Sequence, residues 1–316
     1  MAGDESSGGA ASGTRDVRDL SRRLVEHATA LAGLFDDSAS DGGPVDAGAV
    51  DATLAAARST VAELEEAVAA SRAAPGSGSQ ALPPVVVSAP VLGVDACKAG
   101  WVGAILEPGA PRPRVAVAAT IEALVETVRQ SLAIQVVAID IPIGLPDSTL
   151  RLADSLARKS LRGKASSVFT TLTRAAYAEP TRADADPVNR ALTGQGVGAQ
   201  AFGLRAKILE VDAWVHSRPT VRVLEAHPEL CFATMTGAPI SPGKKTDEGR
   251  AARLAALRAA GLASPSVLSG SGYAADDVLD ACAAAWTAAR WVNGEAHSLP
   301  DPPETFSDGI PAAIWT

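Results

Sequence analysis

Two aspartates stand where a chain ordinarily keeps only apolar residues. Asp95 closes the run V-L-G-V and Asp140 closes V-V-A-I. Both runs have the length and β-branched content of buried strands. A carboxylate in such a place is costly unless something pairs with it. If the two strands are neighbours, the acids meet, and like charges that close need a proton or a cation between them. Mg2+ or Mn2+ suits that role, because hard cations prefer oxygen ligands. A single strand-end Asp is more often a turn or cap residue than a ligand, so it is the combination of acids that carries weight.

The surrounding pattern reads as a mixed α/β domain over residues 90–316. Strands are expected at Pro90–Cys97, Trp101–Leu106, Arg114–Ala119, Gln135–Ile141 and Val221–Leu224, with helical spacing over Ile121–Leu132, Leu150–Arg162, Gln200–His216, Thr246–Ala260 and Asp276–Val292. Thr170–Thr193 reads as broken helix, and the Pro- and Asp-rich tail Ser298–Thr316 as a surface wrap. Ahead of this lie a Gly/Ser/Ala-rich, disordered 1–14, a helical hairpin over 15–74 and a Gly/Ser/Pro linker over 75–89. Within the hairpin, apolar residues recur every three or four positions over Arg15–Phe35 and Val45–Ala73, and Asp36–Pro44 reads as the turn.

Further acids join the first two. Glu225 follows the short strand V-R-V-L, and the late helix opens D-D-V-L-D. There Asp277 and Asp280 are three apart and Asp276 and Asp280 four apart, so they share a face. Acids at a helix N-terminus also simply suit its dipole, so this group has a second explanation. His227 reads equally as a packed histidine. Asp212, Trp214 and Trp286 read as core and cap elements.

Composition removes several classes. Three cysteines (Cys97, Cys231 and Cys282), with no C-x-x-C, argue against a disulfide framework, and three Cys with four His show no zinc spacing. A reducing cytoplasm is the expected setting. The N-terminus has no apolar signal-peptide core, and the most apolar stretch, Leu132–Leu145, is too short and too interrupted to span a membrane. The net charge of −8 sits mainly in residues 1–88, which carry six arginines, no lysine and thirteen acids. The near-neutral remainder leaves nucleic acid open as a partner. Two basic stretches, Arg151–Arg158–Lys159–Arg162–Lys164 and Lys244–Lys245–Arg250–Arg253–Arg258, suit phosphate neutralisation or a solvated helix face. No aromatic interleaving points to base-specific readout.

The motifs G-V-D-A-C-K-A-G-W at 93–101, D-I-P-I-G-L-P at 140–146, S-S-V-F at 166–169, K-I-L-E-V-D at 207–212, E-A-H-P-E-L at 225–230, K-K-T-D-E-G-R at 244–250 and D-D-V-L-D-A-C-A-A-A-W at 276–286 resemble domain-of-unknown-function family 429, described as predicted nucleases of the ribonuclease-H-like superfamily. The resemblance implies a ribonuclease-H-like mixed sheet of five strands, the second antiparallel to the rest, with helices on both faces. It implies metal ligation by Asp95, Asp140 and Asp280, completed by Asp277 or Glu225. Ala96 and Ala99 stand where the family usually has glycine.

The resulting expectation is a two-metal, Mg2+- or Mn2+-dependent nuclease with Asp95, Asp140, Glu225, Asp277 and Asp280 as its catalytic set. Lys98, Lys207 or Lys245 would orient phosphates, and the acidic hairpin would contact a protein partner or a second copy. Two alternatives remain on the same fold: a nucleotide-binding, phosphotransferase-like protein that holds phosphate in the hairpin after Asp95, and a non-catalytic interaction protein.

Overall fold

The computed structural model describes residues 17–41, 46–73 and 82–316. The chain divides into two compact units, residues 1–79 and 80–316. The expected tail at 1–14 and the first part of the linker, 75–81, lie outside the described residues. The first unit pairs α1 (Val17–Asp41) with α2 (Ala47–Ala73), and Arg23 meets Glu63 across the pair at 3.3 Å. Helix α1 runs on through residues expected to turn. Asp36–Asp41 contains neither Gly nor Pro, and the strong breakers are Gly42, Gly43 and Pro44.

The second unit is a mixed sheet with helices on both faces. In chain order it contains β1 (Val91–Cys97), β2 (Gly100–Glu107), β3 (Ala110–Ala118), α3 (Ile121–Arg129), β4 (Val136–Ile139), α4 (Leu152–Ser160), α5 (Arg174–Ala178), α6 (Arg182–Thr193), α7 (Ala199–Gly203), α8 (Arg205–His216), β5 (Arg222–Ala226), α9 (Pro228–Thr236), α10 (Asp247–Ala259), α11 (Ala275–Val292), β6 (Ser298–Thr305) and β7 (Pro311–Trp315). The strand order is β3-β2-β1-β4-β5-β7-β6. β2 runs antiparallel to β1 and β3, while β1, β4, β5 and β7 are parallel. Helix α3 begins at a Thr120 cap, whose hydroxyl accepts the Ala123 N–H.

The sheet has seven strands, not the five expected, because the tail is not a surface wrap. β7 inserts beside β5, and β6 pairs antiparallel with β7 at the edge. Pro300, Pro302 and Pro303 disguised β6, yet an edge strand tolerates residues that cannot donate to a ladder. Glu304 on β6 also accepts the Leu152 N–H at the start of α4, at 2.7 Å. Residues 82–89 are similarly held: Val85 N–H bonds the Ala260 carbonyl, and Asn293 bonds Ser88 and the Val86 carbonyl.

Residue parity sorts the two faces. Leu92, Val94, Val137 and Ile139 pack with Leu124 of α3 and Ile208 of α8. Val91, Val136, Ala138, Leu224 and Ala226 pack with α9, α10 and α11 on the other side. Gly93 also faces α11, and a Cβ there would stand 2.0 Å from Ala285 N and 2.2 Å from Ala281 O. The small residues along α11 and this missing side chain let helix and strand touch by their backbones. Gly93→Ala is accordingly expected to lower the melting temperature by about 4–12 °C, from an overpacking cost of roughly 2–3 kcal/mol. A melt within a degree of wild type would contradict this packing.

Candidate active site

The cluster arises from register. Val94 pairs with Ile139 in the parallel β1–β4 ladder, and Asp140 N–H bonds the Val94 carbonyl at 2.9 Å. Asp95 and Asp140 are therefore lateral neighbours at the C-terminal ends of adjacent strands. Both have the parity of the α11 face. Helix α11 places Asp280 one turn in from its start, over the same strand ends. Oxygens of Asp95, Asp140 and Asp280 all lie within 4.8 Å of one another. Asp95 and Asp280 are buried. They line a cleft of about 400 Å3 with Asp277, Ser167, Phe169, Gln200, Leu204, His227, Glu229 and Lys244, among others.

Burial dominates the electrostatics. It pushes Asp95 well above the usual carboxylate range, and Asp140 and Asp280 add to the rise. Burial lifts Asp140 to about 7, against the pull of Lys244. It lifts Asp280 to about 6, again opposed by Lys244. Lys244 donates to Asp280 Oδ2 at 2.6 Å and is itself held above its ordinary value, because Asp280, Asp95 and Asp140 outweigh the cost of its burial. His227 is pushed down by burial, so its imidazole is neutral at neutral pH. Its Nε2 lies 3.4 Å from the Ser167 carbonyl, while Nδ1 is buried without a partner.

The other expected residues separate. Asp277 borders the cleft, half-buried, but its carboxylate accepts the Ala274 N–H at 2.9 Å and so also caps α11. Glu225 pairs in register with Ile139, so it projects from the face opposite Asp140. There it accepts from Arg151 at 2.5 Å and from Ile143 N–H at 2.7 Å, and Arg151 binds Asp154 as well. Glu225 and Asp154 line the same cleft, but Glu225 is not one of the three carboxylates gathered there. Lys98 and Lys245 are exposed and stand outside the cleft wall; Lys207 lies over the Trp101 ring, 4.3 Å from its centroid, and meets Glu210. Lys244, one position from the expected lysine, is the one in place.

Most of the two basic stretches is also spoken for. Arg151 and Arg253 are buried in ion pairs with Glu225 and Glu229, Lys164 meets Glu229, Arg250 meets Asp247, and Arg158 bonds Val168 and Thr170. A second acidic group, Asp212, His216 and Asp308, is gathered by Arg174, which donates to both carboxylates. The turn after Asp95 offers little to a phosphate. Ala99 N–H is given to the Gly272 carbonyl at 2.8 Å, and the missing Gly100 side chain leaves room for the backbone at Ala118 and Ala119.

Fold and site together define a mixed α/β protein in which two strand-end aspartates and one from a covering helix meet in a cleft. Residues 93–305 match the model of a family described as "Protein of unknown function (DUF429)", and the chain belongs to that family. No curated protein and no solved structure matches it. No helix among the described residues is long and apolar enough to cross a membrane.

The raised carboxyl groups carry a sign. A folded Asp140 that titrates near 7 binds a proton the unfolded chain has released above about 4, so metal-free stability falls as pH rises through that window. The groups facing it are Asp95, Asp280, Lys244 and Glu229. In EDTA at pH 8, Asp140→Asn is expected to melt roughly 2–5 °C above wild type, and the gain should vanish near pH 4. A variant that melts lower at pH 8 would contradict the repulsion.

Proposed function

We propose that this protein is a divalent-metal-dependent phosphodiesterase acting on nucleic acid. The observation that carries the reading is the meeting of Asp95, Asp140 and Asp280, from three distant segments, in one lined cleft. When ionised, these three carboxylates, of which only Asp280 is bonded to an ammonium, carry an excess of negative charge, and an all-oxygen donor set fits Mg2+ or Mn2+. Asp95, Asp140 and Asp280 would hold the cation, with Asp277 at the rim. A mixed sheet whose second strand runs antiparallel, with helices on both faces, is what the ribonuclease-H-like resemblance implies, and the first five strands support that reading of the fold.

When bound there, a divalent cation supplies Lewis acidity to a phosphoryl oxygen and lowers the pKa of water. The chain's own residues do the rest. The carboxylates fix the site on rigid strand ends and a helix, and Lys244 presents a positive charge to a phosphate oxygen. Val168, Phe169 and Leu204 give the cleft an apolar wall. In the net reaction, water adds to phosphorus and one P–O bond breaks, giving a phosphomonoester and an alcohol. The acidic hairpin exposes Val25 and Phe35, and its role in this reading is contact with a protein or a second copy.

The test is a panel of labelled single-stranded, duplex and branched DNA and RNA incubated with the full chain in Mg2+ or Mn2+. Cleavage is expected in the wild type, abolished by EDTA and reduced about 100-fold or more in Asp140→Asn. Equal cleavage by both proteins would assign the activity elsewhere.

A further inference from the structure

Lys244 is not an ordinary surface lysine. It sits in the turn before α10, and that turn is fixed from three directions. The Gly243 carbonyl accepts from Thr246 N–H at 3.0 Å and from the Thr246 hydroxyl at 3.1 Å. Buried Arg253 donates to the Pro242 carbonyl at 3.3 Å and to Glu229 on the cleft wall. Gly249 in the first turn of α10 makes room for this: a Cβ there would lie 1.9 Å from the Gly243 oxygen. With its backbone pinned, the side chain reaches Asp280 Oδ2 at 2.6 Å.

The charge count follows. Asp95, Asp140 and Asp280 bring three negative charges when ionised, and Lys244 returns one. No other cationic side chain among the described residues is bonded to the three. Asp277 at the rim is half-exposed and accepts the Ala274 N–H, so solvent screens its charge. Within the triad the balance is two negative charges, which one divalent cation neutralises. Two divalent cations beside the ammonium would instead leave the triad with an excess of two positive charges. His227, in the same wall, has its Nδ1 without a hydrogen-bond partner among the described residues.

We propose that the cleft binds a single divalent cation, and that the Lys244 ammonium permanently takes the place that a second cation would fill. The inference rests on the metal-dependent reading above and replaces the two-metal arrangement implied by the family resemblance. In it, Lys244 supplies the second positive charge to the phosphate, and the cost of assembling the site is met within the chain.

The number of bound ions decides the matter without any assay of activity. The metal-free full chain is titrated with Mn2+ at pH 7.5, and free Mn2+ is followed by electron paramagnetic resonance. Counting only ions that Asp140→Asn fails to bind, so that Asp212, His216 and Asp308 do not contribute, one per wild-type chain is expected. Lys244→Met keeps the length of the side chain and removes its charge, so it should bind Mn2+ at least about tenfold more tightly or take up a second ion. Lys244→Arg should keep the stoichiometry at one. Two ions per wild-type chain would overturn the role of Lys244 while leaving metal dependence intact. No binding by the wild type would overturn both. Unchanged affinity in a folded Lys244→Met protein would overturn the role of Lys244.

Discussion

Helix α11 lies directly on β1, backbone against backbone, because Gly93 has no side chain and the facing helix positions are Ala281 and Ala285. Everything at the site depends on that contact. It sets the depth of α11 over the strand ends and so carries Asp280 to Asp95. The β1–β4 ladder independently sets Asp140 beside Asp95. Two unrelated restraints, one of helix packing and one of strand register, thus converge on the same few ångströms. A larger side chain at Gly93 would lift the helix and separate the acids without touching any of them.

The arrangement works against stability. Carboxylates held this close and this deep prefer to be protonated, and burial is the leading cause for each. A fold selected only for stability would replace them with apolar residues, as is known for buried ionic groups generally. The opposite face of the sheet shows the contrast. There Glu225 and Asp154 share the fully buried Arg151, with Thr171 and the Ile143 backbone completing their bonds. That network gives its two acids a guanidinium, although Arg151 Nε has no partner and burial still lifts Glu225 to about 7. The triad has one ammonium, bonded to Asp280, for three acids.

Much of this was readable in the chain itself. The first five strands follow from short β-rich runs, and Asp95 and Asp140 stand out because a charge ending an apolar run needs a reason. Asp280 was legible only through helical spacing, which does not show which acid of the group turns inward. Glu225 also follows an apolar run, and it reaches the cleft wall from the other face of the sheet. Its facing depends on strand register, which a single strand does not reveal. Lys244 was hidden in a doublet with Lys245, since only the pinned turn before α10 decides which lysine points inward. β6 and β7 were obscured by prolines, and α9 by its position directly behind the E-A-H-P segment, which reads as a strand exit. In each case the missing information was tertiary.

The central claim is that Asp95, Asp140 and Asp280 jointly hold a divalent cation. Anomalous scattering from a crystal soaked in Mn2+ tests it most directly. The account predicts a peak within about 2.3 Å of an oxygen from each of the three aspartates, at the distance expected of oxygen-ligated cations. No peak there, or a peak only at Asp212, His216 and Asp308, would contradict it.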